Sequence, residues 1–118
     1  MRLIDANVIL RFILSDNEEM YRKSVQIISE GAFTLPEVIA EVVYVLTKPY
    51  GIDRNGVCDS LITVLRFVHV DSKPALLEAI SIYRGSSLDF VDCILIGRNH
   101  VLGDDVFSFD KKLNKRLV

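Results

Sequence analysis

At 118 residues, half of them hydrophobic and with a mean hydropathy of +0.31, the chain is long enough for one domain and rich in apolar material for its size. A net charge of −2 lacks the global basic signature of a nucleic-acid binder, yet leaves room for an enzyme whose own carboxylates hold metal ions, since bound cations invert the local field. No apolar run approaches a membrane span, and Asp5, Asn7 and Arg11 interrupt the N-terminal stretch with no small-residue cleavage site after it; a cytoplasmic single domain over residues 1–118 is expected, with Cys58 and Cys93 reduced and buried.

In chain order, residues 2–5 read as a short buried strand and residues 7–14, "NVILRFIL", as a helix. "SDNEE" supplies a cap and an acidic first turn for a helix over residues 17–30, ended by Gly31. "AFTLP" is a second strand, and Pro36 suits the first turn of the helix "PEVIAEVVYVLTK", which stops near "PYG". "DRNGVCDSLITVLRF" is helical by its apolar spacing despite Gly56, and "VHVD" is a third strand. "KPALLEAISIYR" is a helix broken by "GSS"; Ser87 then caps "LDFVDCILIGRNHVLG". "DDVFSFD" reads as a fourth strand, followed by the basic end "KKLNKRLV". Short apolar strands alternating with helices predict an α/β fold: a three-layer α/β/α sandwich around a central parallel sheet of four to five strands. Such sheets bind ligands outside the carboxyl ends of their strands.

The carboxylates carry the chemistry. Asp5 ends the first strand and Asp110 the predicted fourth, where each could equally cap the helix that follows. Glu41 sits among Val38, Ile39, Val42, Val43, Val45 and Leu46, a helix apolar nearly all round, and so is expected under burial pressure; Glu37 is better read as compensating the helix dipole. Asp89 and Asp92, three apart in "SLDFVDCILIG", share a helical face among apolar neighbours. No histidine or cysteine accompanies these acids. An all-oxygen cluster suits Mg2+ or Mn2+ and the phosphoryl chemistry such ions support, not structural zinc. Arg11, Arg98, Lys111 and Lys112 are the candidate contacts to backbone phosphates.

Four motifs in order carry a family resemblance over nearly the whole chain. "LIDANVIL", "LPEVIAEVVYVL", "LDFVDCILIG" and "VFSFDKKL" resemble the acidic elements of PIN-domain ribonucleases, especially the toxin subunits of VapBC-type toxin–antitoxin pairs. The resemblance implies metal-dependent cleavage of single-stranded or loop RNA, leaving a 5′-phosphate and a 3′-hydroxyl. It implies an acidic quartet of Asp5, Glu41, Asp92 and Asp110, with Asp89 an additional acid and Asn7 and Ser108 supporting polar groups. Asp5, Asp92 and Asp110 would be the metal ligands, for Mg2+ with Mn2+ able to substitute, and Glu41 would orient the attacking water or support a second ion. An antitoxin protein is the implied partner. Homodimerisation is expected from the apolar excess of "VILRFIL" and "VIAEVVYVLTK". Relatives continue past the last acidic motif into a fifth edge strand, whereas here only "LNKRLV" follows. A receiver-type signalling domain would need adjacent acids after the first strand, and a haloacid-dehalogenase-type phosphatase would need an acid where Asn7 stands. A degenerate PIN fold that binds without cutting is the non-enzymatic alternative.

Overall fold

The computed structural model describes residues 1–118, which divide into two compact units, Met1–Asp71 and Ser72–Val118. The first contains three short strands, β1 (Arg2–Leu3), β2 (Ala32–Thr34) and β3 (Val68–Val70), hydrogen-bonded in the order β1-β2-β3 and all parallel. Ala32 is the hub of the register, opposite Arg2 on one side and Val68 on the other. Beyond the last β1 residue the pairing continues: the Ile4 amide donates to the Phe33 carbonyl at 2.9 Å, and the buried Thr34 hydroxyl donates to the Ile4 carbonyl at 2.8 Å. That bond satisfies a buried polar side chain and ties the exit of β1, where Asp5 follows, to the sheet.

Parallel strands need crossovers, and each one here passes through two helices. Between β1 and β2 lie α1 (Ala6–Leu14) and α2 (Glu18–Ser29), begun by the side-chain caps Asp5 and Asn17. Gly31, at φ +105°, makes the turn into β2, a conformation that disfavours any side chain. Between β2 and β3 lie α3 (Pro36–Thr47) and α4 (Arg54–Leu65). Ile39, Val42, Val43 and Leu46 form the buried stripe of α3; Val57, Leu61 and Val64 do the same for α4. Burial of these side chains is the main force holding the unit together.

The second unit is helical: α5 (Lys73–Arg84), α6 (Phe90–Leu102) and the single turn α7 (Lys111–Asn114). Gly97 of α6 lets the two long helices approach closely, since a Cβ placed there would lie 2.4 Å from the Ala75 carbonyl oxygen and 3.3 Å from the Ala79 Cβ. Tyr83 and Phe90 meet edge to face at 5.3 Å between ring centroids. The buried Asn99 amide donates to the carbonyls of Asp104 and Val118 and accepts from the Val118 amide, while His100 bridges the Glu78 carboxylate (2.7 Å) and the Arg116 carbonyl (2.6 Å). Successive residues of α6 thus anchor the end of the chain.

Two expectations are corrected. The sheet has three strands, not four to five, because residues 104–110 form no strand. Their polar groups bond locally: Asp104 to α6 through the Arg98 carbonyl and the Asn99 amide, Asp110 to Ser108. The alternation in "VFSF" leaves Phe107 and Phe109 at 81% and 91% exposure. The last long helix is begun by Asp89 rather than Ser87. Both cysteines are buried and outside any disulfide, as expected, and no helix is long and apolar enough to cross a membrane.

Candidate functional site

The first unit carries two of the expected acids. Asp5 marks the switch from strand to helix, and one of its carboxylate oxygens accepts a hydrogen bond from the Val8 amide at 3.2 Å. The cap satisfies one of the orphan donors at the start of α1 and places the negative charge at the positive end of the helix dipole. Glu41 stands on the exposed face of α3 with Glu37 and Tyr44, opposite the buried stripe. The burial expected of both acids is therefore not found; Asp5 projects at an element boundary, and the apolar neighbours of Glu41 fill the other face of its helix. Asn7 is exposed in the first turn of α1 and lines a groove of about 150 Å³ with Arg11, Lys23 and Ser24.

The second unit gathers the remaining acids. Asp89 occupies the cap position of α6 without a side-chain cap bond, and Asp92 lies in the first turn that follows. Asp110 caps α7, one oxygen accepting from the amides of Lys112 (2.8 Å) and Leu113 (3.2 Å). Ser108 shapes the approach to it: its hydroxyl oxygen accepts from the Asp110 amide at 2.9 Å, and its carbonyl accepts from the Asn114 side chain at 2.8 Å. Asp89 and Asp110 are exposed; Asp92 alone is half-buried. The Asp92 carboxyl is pushed above its ordinary pKa, first by burial, then by the negative charges of Asp89 and Asp110. Asp89 and Asp110 thus both lie within electrostatic reach of Asp92. That mutual repulsion is the condition a bound cation relieves.

Within neither unit do three or more Asp, Glu, His or Cys side chains converge tightly enough to hold a metal ion. The donor chemistry still fits a hard cation, since every candidate ligand is a carboxylate oxygen. Of the cations expected to meet phosphates, Arg11 is engaged by both oxygens of Asp16 (2.7 and 2.8 Å) and Arg98 by Asp104 (2.7 Å). Lys111 and Lys112 are exposed. The sequence reading passed over Lys115 and Arg116, which with Lys112 line a cavity in this unit. Their signal was available in "KKLNKRL", where positions 112, 115 and 116 follow the i, i+3, i+4 spacing of one helical face.

A family model, the PIN domain, matches residues 2–116. The chain belongs to the PIN-domain family. The match spans both units, and it agrees with the parallel α/β arrangement of the first. This PIN-domain chain is also 29% identical over 123 residues to the VapC ribonuclease of Aquifex aeolicus (strain VF5), an alignment covering 98% of the chain and 91% of that relative. No solved structure matches it. The PIN-domain assignment embraces all four acidic motifs, from "LIDANVIL" to "VFSFDKKL".

Proposed function

We propose that the chain is a single PIN domain acting as a Mg2+-dependent endoribonuclease, the toxin of a toxin–antitoxin pair. One observation carries the reading: in a chain of this family, Asp92 is the one half-buried acid of the set, and burial, then the charges of Asp89 and Asp110, push its carboxyl above the ordinary pKa. A site that only stabilised the fold would gain from removing such a group. A site that takes up a divalent cation needs it.

In this proposal Asp5, Asp92 and Asp110 serve the cation, with Mn2+ able to replace Mg2+. When bound, the ion supplies Lewis-acid stabilisation of the phosphoryl oxygens during in-line attack by water. The residues of the chain do the rest. Asp5 and Asp110 each commit one oxygen to a helix cap, which fixes the carboxylate rotamer and leaves the other oxygen for a ligand. Glu41, exposed, is the candidate to orient the attacking water. Asp89 adds negative charge beside Asp92, and Ser108 holds the backbone at Asp110. Asn7 is the supporting polar group near Asp5. Tyr44 on α3 and the Phe107–Phe109 pair leave apolar area in solvent and support association with another chain, as a homodimer and with the antitoxin.

The reading is tested with purified protein and a labelled single-stranded RNA. Cleavage should need Mg2+ or Mn2+, stop with EDTA and leave 5′-phosphate ends. Cleavage indifferent to EDTA would overturn it, and RNA binding without any cleavage would favour a PIN-fold binding module instead. Sedimentation at micromolar concentration tests the dimer, and a clean monomer refutes it.

A further inference from the structure

The connection from α5 to α6 and the turn of α7 line an open cavity of about 260 Å³. Ser86, Ser87 and Leu88 form one wall; Lys112, Lys115 and Arg116 form the other. The helical turn continues past Asn114, with the Lys115 amide bonded to the Lys111 carbonyl (3.1 Å) and the Arg116 amide to the Leu113 carbonyl (3.0 Å). That continuation keeps the three cationic side chains on one face. Unlike Arg11 and Arg98, none of the three is engaged in an ion pair. The Ser86 hydroxyl oxygen accepts from the Leu88 amide at 3.3 Å, which leaves its proton free to donate outward. No carboxylate lines the space.

Three cations and two hydroxyls around a cavity describe a receptor for an oxyanion. The volume falls below the roughly 300–1,000 Å³ of sites that enclose drug-sized molecules, so it suits one charged group of a longer ligand. Its position relative to the acids is set by the chain itself. Leu88 immediately precedes Asp89, and Lys112 donates its amide to the Asp110 carboxylate. Each wall therefore runs directly into one of the carboxylates that crowd Asp92.

We infer that this cavity is a phosphate subsite, which grips one backbone phosphate of the RNA beside the bond to be cut. The inference rests on the ribonuclease reading above and deepens it. A chain of net charge −2 has little general attraction for RNA, so a local basic cavity beside the acids sets where the backbone lies without strengthening binding elsewhere. Phosphate contacts of this kind position a strand and read no sequence. The cavity fixes register; base preference comes from other surfaces.

The test uses the full chain in EDTA, so that binding is read without turnover, and a fluorescent single-stranded RNA. The triple variant Lys112→Gln, Lys115→Gln, Arg116→Gln should bind about tenfold more weakly. The slope of log affinity against log salt should fall in magnitude by about 0.7, the value for one phosphate contact on a single strand. RNAs carrying one neutral methylphosphonate at successive positions then locate the contact. One position should weaken binding to the unaltered protein and have no further effect on the triple variant. In Mg2+, the KM of the variant should rise with kcat held within about threefold of the parent, as for lost uniform binding. If the parent protein cuts RNA but every methylphosphonate costs the same, or the variant keeps full affinity and salt slope, the subsite is refuted while the ribonuclease reading stands. If the parent protein does not cut RNA at all, the ribonuclease reading itself fails.

Discussion

Gly97→Ala puts the packing of the second unit to a sharp test. The added Cβ would lie 2.4 Å from the Ala75 carbonyl oxygen, 3.1 Å from the Ala79 amide nitrogen and 3.3 Å from the Ala79 Cβ. Favourable contacts between carbon atoms lie at about 3.5–4.0 Å, so the helices must separate by on the order of 1 Å. Two of the three neighbours are backbone atoms, which cannot rotate away. Overpacking of this kind costs typically about 1–3 kcal/mol and occasionally more, and the backbone contacts place this case at the upper end. Against it stands the better helix propensity of alanine, about 0.8–1.0 kcal/mol. The net expectation is a loss of about 2 kcal/mol, or roughly 6–12 °C in Tm for a chain of this size. Urea and thermal unfolding followed by circular dichroism measure it. Gly85→Ala is the control, because its Cβ would meet only the Ser81 carbonyl at an ordinary 3.7 Å. A Gly97→Ala protein as stable as its parent would mean that α5 and α6 do not meet through Gly97.

Other expectations follow from the charged groups. His100 is held protonated above its ordinary pKa, first by its hydrogen bond to Glu78 and then by that to the Arg116 carbonyl, with burial opposing. Its stabilisation is complete below about pH 6.5 and lost as pH rises through the elevated folded value, so the stability gap to His100→Gln should narrow, by less than about 1 kcal/mol, from pH 6 to pH 8. Asp92 gives a dependence of the same sign in a more acidic window: a raised carboxyl means the folded state holds its proton more tightly, so stability without metal should rise as pH falls through that value toward about 3.9. Asp92→Asn should remove that rise, stabilise the metal-free protein at neutral pH and lower Mg2+-dependent cleavage by at least about a hundredfold, whereas Asp89→Asn should lose about tenfold, as expected for a supporting group. Reversal of that order under saturating Mn2+ would reassign the ligand. Asp5→Asn should melt close to the parent yet fail to cleave, while Asp5→Ala should also lose about 1 kcal/mol with the cap.

The helices were legible because apolar spacing and cap chemistry are local signals. Asn17 before Glu18 and Glu19, Pro36 opening α3, and Asp53 before α4 each announce a boundary in the residues themselves. The three strands were legible as short apolar runs between such boundaries. "VFSF" has the same local look and forms no strand, because pairing depends on residues distant in sequence while Ser108 and Asp110 meet their hydrogen-bonding needs nearby. Of the candidate site, the exposure of the acids was not legible. Apolar neighbours in sequence surround Glu41, but on a helix they occupy its other face. The Gly97 contact and the His100 bridge were missed because each joins residues about twenty apart, a relation no local pattern records.

The capping role of Asp5 and Asp110 has a bearing on how such a chain changes over generations. A helix start accepts Asp, Asn, Ser or Thr nearly alike, whereas a divalent cation is held far more strongly by the charged member of that group. Under the proposed reading, a single substitution at either position would silence the chemistry while the fold is left standing. An inactive descendant would keep its helices, its surfaces and its protein contacts. Loss of cutting and loss of folding would thus be uncoupled at Asp5 and Asp110, and the proposed nuclease would stand one mutational step from a binding-only protein.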